Sequence, residues 1–370
     1  MTYDAIVVGG GLAGSAAAAH LARRGHAVLL LERIRFPQHR LCGEFLSGET
    51  QDLFARLGVL DDVQRAGAVS IRTATLTALS GGVFHQPLPA PALGLSRYAL
   101  DPLLFHHAAR LGATVREGSP VRRIERDGDG FAVSTDDETF RARHVVGAWG
   151  KRSGLDGSMQ RSFVRQTTPW VGFKAHFEGD DLDDGIELHA FDGGYVGMSR
   201  VEHGRTNVCW IASKSVLAAA GGSPEAMLDG PMRRNPHLAA RLGRMRRVSE
   251  RFEAVAQVTF ALKGTDADGV TMLGDTAGMI APVAGDGMAM ALHAAELAAP
   301  LIDGYLAGRF CRDDLHRVYA ARWRQRFGLR LRLGRMLHAL YVRPHTADAA
   351  LRAARAVPQV GRWVMRNTRG

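Results

Sequence analysis

The residues with the clearest chemical content stand at the start of the chain. Gly9-Gly10-Gly11-Leu12-Ala13-Gly14 follows the apolar run Ala5-Ile6-Val7-Val8 and opens an alanine-rich helical stretch from Ser15 to Arg24. A second apolar run, Ala27-Val28-Leu29-Leu30-Leu31, closes on Glu32. Strand, glycine turn, helix, strand and acid in this order form a dinucleotide-binding fingerprint, far more specific than the glycines alone. Gly9 permits the tight turn, Gly11 lets backbone approach a pyrophosphate, and Gly14 lets the helix pack closely on the strand. The helix N-terminus offers unpaired N–H groups and a positive dipole end to the phosphates. Glu32 can accept hydrogen bonds from a ribose diol.

A second chemical segment lies near the far end. Val270-Thr271-Met272-Leu273 reads as a short buried strand leading into Gly274-Asp275, and a helix is predicted from Met288 to about Ile302. Between them stand Pro282, Gly285 and Gly287. The Asp275 carboxylate suits a sugar-alcohol chain, the proline and glycines let backbone lie against a flat ring, and the helix N-terminus favours negative charge on that ring.

Gly-Asp, a short gap and Pro-x-x-Gly-x-Gly before a small-residue helix resembles the flavin-binding motif of FAD-dependent oxidoreductases. More narrowly, it resembles the superfamily of single-component flavoprotein monooxygenases (para-hydroxybenzoate hydroxylase fold), geranylgeranyl reductases and flavin-dependent halogenases. Three further segments are similar. Pro37 to Glu44, ending Cys42-Gly43-Glu44, looks like the reductase branch's "CGE" element; Ser96-Arg97-Tyr98 through Asp101 and Leu104 looks like the arginine-bearing helix start at the cofactor; and Val145 to Ser153 stands in the place of "G-A-D-G-x-x-S". The likeness covers roughly residues 3 to 300.

The resemblance implies FAD as cofactor and NAD(P)H as a transient electron donor. It implies cofactor contacts from Gly9, Gly11, Gly14, Glu32 and Arg33 around the first fingerprint. Arg40, Cys42, Arg97 and Val121 follow between the motifs, and Gly274, Asp275, Pro282, Gly285, Gly287 and Met288 around the second. The sequence departs from the family twice. Trp149 replaces the usual Asp, and Gly194-Tyr195-Val196-Gly197-Met198 stands where geranylgeranyl reductases show "Y-x-W-x-F-P". Halogenases rely on a lysine early in the chain, and the first lysine here is Lys151; halogenation is not expected. No second dinucleotide fingerprint follows residue 32, so NAD(P)H would dock transiently at the flavin edge, or a separate reductase would supply electrons.

The activity expected from the resemblance is an FAD-dependent monooxygenase. It would hydroxylate or epoxidise an aromatic or polyketide-like small molecule through a flavin C4a-hydroperoxide, with NAD(P)H as reductant. The alternatives are an ene-reductase or dehydrogenase of geranylgeranyl reductase type acting on a C=C bond, and a flavin-binding protein without turnover. No catalytic residue stands out; the candidates are Lys174, Tyr195, His293 and Cys42. Lys174 and His176 share one strand face and are expected as exposed positions, with binding of an acidic substrate as the alternative. Tyr195 could donate to a substrate oxygen or pack in the core. His293 reads as a satisfied helix histidine more than a catalyst, and Cys42 as an inert buried thiol near the flavin. No metal site is expected.

These residues need a scaffold. Val171, Phe173, Ala175 and Phe177 alternate with Gly172, Lys174 and His176, the period of a half-buried strand. Gly185–Phe191, Gly194–Glu202, Thr206–Ser213 and Ala254–Leu262 also read as strands, and 223–246 as a helical stretch. The fold class expected is α/β: a Rossmann-type FAD-binding domain (three-layer ββα) with an inserted antiparallel β-sheet substrate domain and a C-terminal helical region. Residues 1–75, 96–160 and 266–305 are assigned to the FAD-binding domain. Residues 76–95 and 161–265 go to the substrate sheet, and 306–370 to the helical basic region.

The chain has 370 residues, 46% hydrophobic and 23% charged, an ordinary globular make-up that excludes a disordered or coiled-coil protein. No apolar run reaches the roughly 18 residues of a spanning helix. No basic leader precedes the first apolar run, and three scattered cysteines suggest neither a disulfide framework nor a zinc cluster; a cytoplasmic location is expected. The net charge of +10 is concentrated at the end, where fifteen arginines from Arg309 onward face only Asp313, Asp314 and Asp348. Arg322, Arg326 and Arg330 share one helical face. The region reads either as a helical cap over the dinucleotide domain or as a surface for an acidic acyl-carrier protein or an anionic membrane. A nucleic-acid partner is not expected, because no known binding module is present.

Overall fold

The computed structural model describes residues 2–180 and 182–369. Its first layer grows from the opening apolar run. Thr2–Val8 is a strand buried from Ala5 to Val8, and the fully buried strand Val28–Leu31 pairs parallel to it with Ala5 opposite Val28. Continuous apolar strands of this kind require cover on both faces. The sheet runs in the order Asp266–Ala267, Val270–Met272, Thr139–Gly147, Thr2–Val8, Val28–Leu31, Thr114–Arg116. An antiparallel hairpin, Arg123–Asp127 and Gly130–Ser134, pairs onto Thr139–Gly147. The helices Leu12–Ala22, Arg97–Arg110 and Gly287–Leu306 pack side by side beside it. This is the Rossmann-type arrangement expected.

The second layer is a nine-stranded sheet, antiparallel except where Gly185–Phe191 lies parallel to Val69–Thr77. The sheet includes the short strand Phe45–Leu46 and the long hairpin Val69–Thr77 and Val83–Gly94. Trp170–Glu178, Gly185–Phe191 and Thr206–Ser213 form strands as the alternation predicts. Two expected strands are shorter. Gly194–Arg200 stops before the turn at Glu202–Gly204, and Glu253–Ala256 ends where Gln257 adopts a φ of +58°. The predicted helical stretch 223–246 is broken into Pro224–Asp229, a 3₁₀ turn Pro231–Arg234, and Pro236–Arg244. Each piece starts on a proline, which lacks the N–H needed to continue a preceding helix.

The C-terminal region is one 30-residue helix, Arg312–Tyr341, followed by Pro344–Ala356 and Pro358–Arg369. It does not cap the dinucleotide domain alone. Trp323 and Gly334 pack on Gly278 and Ile280 of the second motif. Tyr341 Oη donates at 2.7 Å to Leu188 O, and Met365 is buried in the same cluster as Ile186 and Leu188. The nine-stranded sheet therefore has the tail helices against one face. The proline-started helices, through Met227 and Leu238, pack with Phe173 and Trp210 in a separate cluster. No helix among the described residues is long and apolar enough to cross a membrane.

Candidate functional site

Gly11 and Asp275, far apart in sequence, line one cavity of about 1250 Å³, open mouth included, between the segments that follow the first sheet's strands and the face of the second sheet. Gly9 sits at φ +108°, and a Cβ there would lie 2.4 Å from Ala148 O; a Cβ on Gly14 would lie 1.9 Å from Gly9 O. Both positions exclude side chains. Gly11 differs: the nearest atom to its missing Cβ is Arg97 Nη2 at 3.3 Å, across the cavity edge. Gly11 also begins the helix Leu12–Ala22 without a side-chain cap, leaving its terminal N–H groups for an anion.

Arg97 enters the cavity from the start of its own helix, which Ser96 caps by accepting from Ala99 N at 3.2 Å. Its guanidinium grips Asp101 in a fork, at 2.5 and 2.7 Å. Burial opposes the Arg97 charge, but Asp101 and the Cys42 sulfur outweigh it and hold its pKa above the ordinary value. Glu32 is buried; it accepts from Gly10 N at 2.7 Å, Ile34 N at 3.1 Å and Arg40 Nη2 at 3.2 Å. It thus pins the glycine turn while retaining lone pairs for a diol. Ser119 N donates to Glu32 O at 2.8 Å, which brings the segment leading to Val121 alongside the acid. Arg33 is exposed and Val121 half-buried, and neither lines the cavity.

The second motif forms the cavity's other end. Gly274 and Gly285 adopt φ of +55° and +70°. Gly274, Asp275, Pro282, Gly285, Gly287 and Met288 all line the cavity, where the helix Gly287–Leu306 begins. Asp286, at its N-cap, does not cap it. Its carboxylate instead accepts from Ser47 Oγ at 3.1 Å and Arg330 Nη1 at 2.6 Å. Burial pushes Asp286 up to about 7 although Arg330 pulls it down; Glu49, on the same guanidinium at 2.6 Å, adds to the rise. Lys263, another buried group, ties the motif from below: Nζ donates to Asp275 O at 2.8 Å and Lys151 O at 2.6 Å, and burial pushes it down to about 8.

Cys42-Gly43-Glu44 is the third wall. Glu44 holds φ +53°, a left-handed conformation a glutamate adopts only when its surroundings fix it. They do. Its side chain is fully buried and ion-paired with Lys174, accepts from His176 Nε2 at 2.6 Å, and accepts from Arg97 N at 2.8 Å. Burial alone would raise Glu44, but the Lys174 ammonium and the His176 hydrogen bond win and hold it at about 2. This anchor turns Cys42 into the cavity, where its sulfur also accepts from Glu44 N at 3.4 Å. His39 stacks edge-on against His176 at 4.9 Å; burial, then Lys174 and His176, push it down to about 4. His39, Glu44 and His176 bring three ligand-type atoms together, but the Lys174 ammonium already occupies Glu44 and opposes a second cation.

The four catalytic candidates separate. Cys42 and Tyr195 line the cavity; Lys174 and His293 do not. Lys174 and His176 are not exposed, contrary to expectation: they are 1% and 3% accessible, because residues 40–44 cover the outer face of their strand. His293 faces away, bonded to Glu49 at 2.9 Å and Arg326 at 2.9 Å. Tyr195 Oη accepts from Val283 N at 3.1 Å, joining the sheet to the Pro282 loop. Burial pushes its phenol well up, so it stays protonated. Trp149, standing for the family's Asp, turns away from the cavity and donates to Asp156 Oδ1 at 3.0 Å. Sequence reasoning missed Lys151, Lys263 and the Arg330–Asp286 pair. Only Asp286, inside the glycine motif, carried a local signal.

The site fits FAD by its own features: two glycines that admit no Cβ, a third whose missing side chain faces Arg97, and two helix N-termini at the cavity's ends. Comparison agrees. The family described as FAD binding domain matches residues 2–326. The chain is 26% identical to the menaquinone reductase of Mycobacterium tuberculosis, over 99% of this chain and 88% of that one. It is 28% identical to digeranylgeranylglycerophospholipid reductase 2 of Methanothermobacter thermautotrophicus, over 90% and 86%. Among solved structures, a flavin-dependent brominase superposes with a TM-score of 0.84 at 19% identity, over 100% of this chain and 93% of that one, a likeness of fold.

Proposed function

The chain belongs to the FAD binding domain family, and from that premise we propose that it is an FAD-dependent reductase of a carbon–carbon double bond in an apolar, isoprenoid-type small molecule. One observation carries this reading: among the described residues of the cavity lining there is no histidine, and Glu44 and Asp286 are ion-paired. The lining's carboxylates are Glu44, Asp275 and Asp286. Glu44 is locked to Lys174 and His176, Asp286 to Arg330, and Asp275 is poised for the ribityl chain. Hydroxylating a phenol calls for a group that takes its proton. Reducing an olefin calls for a hydride and a neutral proton donor. The remaining wall, with Ile186, Leu188, Met198, Ile211 and Met279, is apolar. The two long-spanning relatives are named as reductases, which supports the same choice.

Bound FAD supplies the hydride when reduced. The glycine turn and Arg97 would hold its pyrophosphate, Asp275 its ribityl chain, and the Gly285–Met288 helix start its ring; Arg33 and Val121 would meet the adenosine half. The chain's own residues do the rest. The apolar wall excludes water and holds the double bond against the ring. Cys42, fixed by the Glu44 turn and Arg97, delivers a proton from Sγ to the second carbon and is reprotonated from solvent. Cys209, also on the wall, stays a thiol because burial pushes it up to about 12. NAD(P)H or a separate reductase returns electrons to the flavin.

The test is anaerobic turnover of polyprenyl substrates with reduced flavin. Product that has gained two hydrogens supports the reading; a strict oxygen requirement with labelled oxygen in the product contradicts it. A monooxygenase acting on an electron-rich ring is the second reading. It is favoured by the missing Trp and Pro at 194–198, and that labelled-oxygen result would establish it.

A further inference from the structure

Seven large apolar side chains stand exposed in the described chain, and five of them, Leu329, Met336, Val357, Val360 and Trp363, belong to the C-terminal helices or the joint between them. Each is about half exposed, at 47–52%. They are not misplaced core residues. The last helix already seats its inner face on the sheet through Gly361 against Phe84 and the buried Met365 and Thr368. Its outer face carries Val360, Trp363 and Arg366 at successive turns. On the long helix, Leu329, Arg332 and Met336 lie on the outward stripe, spaced i, i+3, i+7. The two helices pack against each other.

Charge decides what covers this surface. Arg332, Arg335, Arg352, Arg355, Arg362 and Arg366 are exposed and have no carboxylate partner among the described residues. Within the tail itself, the only acidic side chain after Asp314 is Asp348, which accepts from Ser80. The anions that match these arginines must come from outside the chain. An acidic protein would answer the charge but not the interleaved apolar side chains. A lipid surface answers both, with phosphates for the guanidinium groups and an acyl boundary for Trp363 and its neighbours. We propose that the outward face of the C-terminal helices docks on an anionic lipid bilayer, lying in its interface.

The inference extends the reading of a lipid-phase substrate, but its test needs no turnover, so either can fail alone. Purified full-length protein is sedimented with vesicles of phosphatidylcholine, with and without about one-third phosphatidylglycerol. Binding to the mixed vesicles at low salt, weakened about tenfold or more by high salt, is expected. The double variant Val360→Asp/Trp363→Asp should bind about tenfold less, as should Arg362→Glu/Arg366→Glu, with FAD content and melting temperature at wild-type values. If either variant melts early, the single changes Trp363→Ser and Arg366→Gln serve in its place. No binding to mixed vesicles at low salt, or binding that none of these changes alters, overturns the proposal. So does salt-dependent binding of a purified acidic acyl-carrier protein without vesicle binding.

Discussion

Glu44 joins a strained turn, a buried ion pair and a cavity-facing thiol in one residue. Its carboxylate sits at about 2 instead of the ordinary 4.5, so pairing with Lys174 and His176 adds stability that is complete above pH 4.5 and lost as the pH falls toward 2. The shift corresponds to at most about 3 kcal/mol at neutral pH. Glu44→Gln leaves Lys174 buried and unpaired, and should destabilise the protein by about 3 kcal/mol at pH 7. Urea titrations should show that deficit shrinking between pH 4.5 and 2; a constant deficit would mean that Glu44 is not the titrating partner. Cys42→Ser should keep FAD while slowing product formation about 10²-fold, the scale of a lost general acid. Single-turnover rates would check this, with unchanged flavin content as the control. At this scale the glycines were legible in sequence because a backbone that admits no Cβ leaves only one residue type. The burial of Lys174 and His176 was not. Their strand alternates as a half-buried one would, and the cover on its polar face comes from residues 40–44, far away in the chain.

The helix Arg312–Tyr341 acts as the backing of the cofactor loop. Trp323 fills the space over Gly278, Gly334 lies where a Cβ would meet Ile280 at 2.9 Å, and Arg330 bridges Glu49 and Asp286. Arg330→Met removes the cation shared by two carboxylates and should cost about 3–5 kcal/mol, seen as an earlier thermal transition. FAD should also bind more weakly, measured by fluorescence titration, because the Gly285–Gly287 backbone loses its support; wild-type affinity in a destabilised variant would limit Arg330 to a structural role. The helix itself was partly visible in the four-residue spacing of Arg322, Arg326 and Arg330. Its partners were not: Arg330 and Glu49 are 281 residues apart, and no local pattern encodes such a pair. The stretch 223–246 shows the opposite case, since three prolines stood in plain view and each restarts a helix.

Across the whole molecule, the cavity lies between the second sheet and the segments that follow the first sheet's strands, and the tail helices pack on both the cofactor loop and the second sheet. Tyr341 Oη donates to Thr77 O at 3.0 Å and Leu188 O at 2.7 Å, while Leu351 and Met365 complete the cluster behind the apolar cavity wall. Ending the chain after Tyr341 should uncover Phe84, Ile186 and Leu188 and lower the melting temperature by several degrees, with FAD still bound through the first sheet. The layered α/β architecture was legible because each fingerprint prescribes a strand, a turn and a helix in order. The straddling position of the tail was not, since composition records its charge and not the surface it rests on.

The claim on which all of this depends is that two distant glycine motifs hold the two ends of one FAD. The direct measurement is the flavin-to-protein ratio of the purified chain and of two variants, Gly11→Val and Asp275→Ala. About one FAD per chain is expected for the wild type, almost none for Gly11→Val because the side chain fills the pyrophosphate's place, and weakened retention for Asp275→Ala. Full, equally tight FAD in both variants would contradict the account.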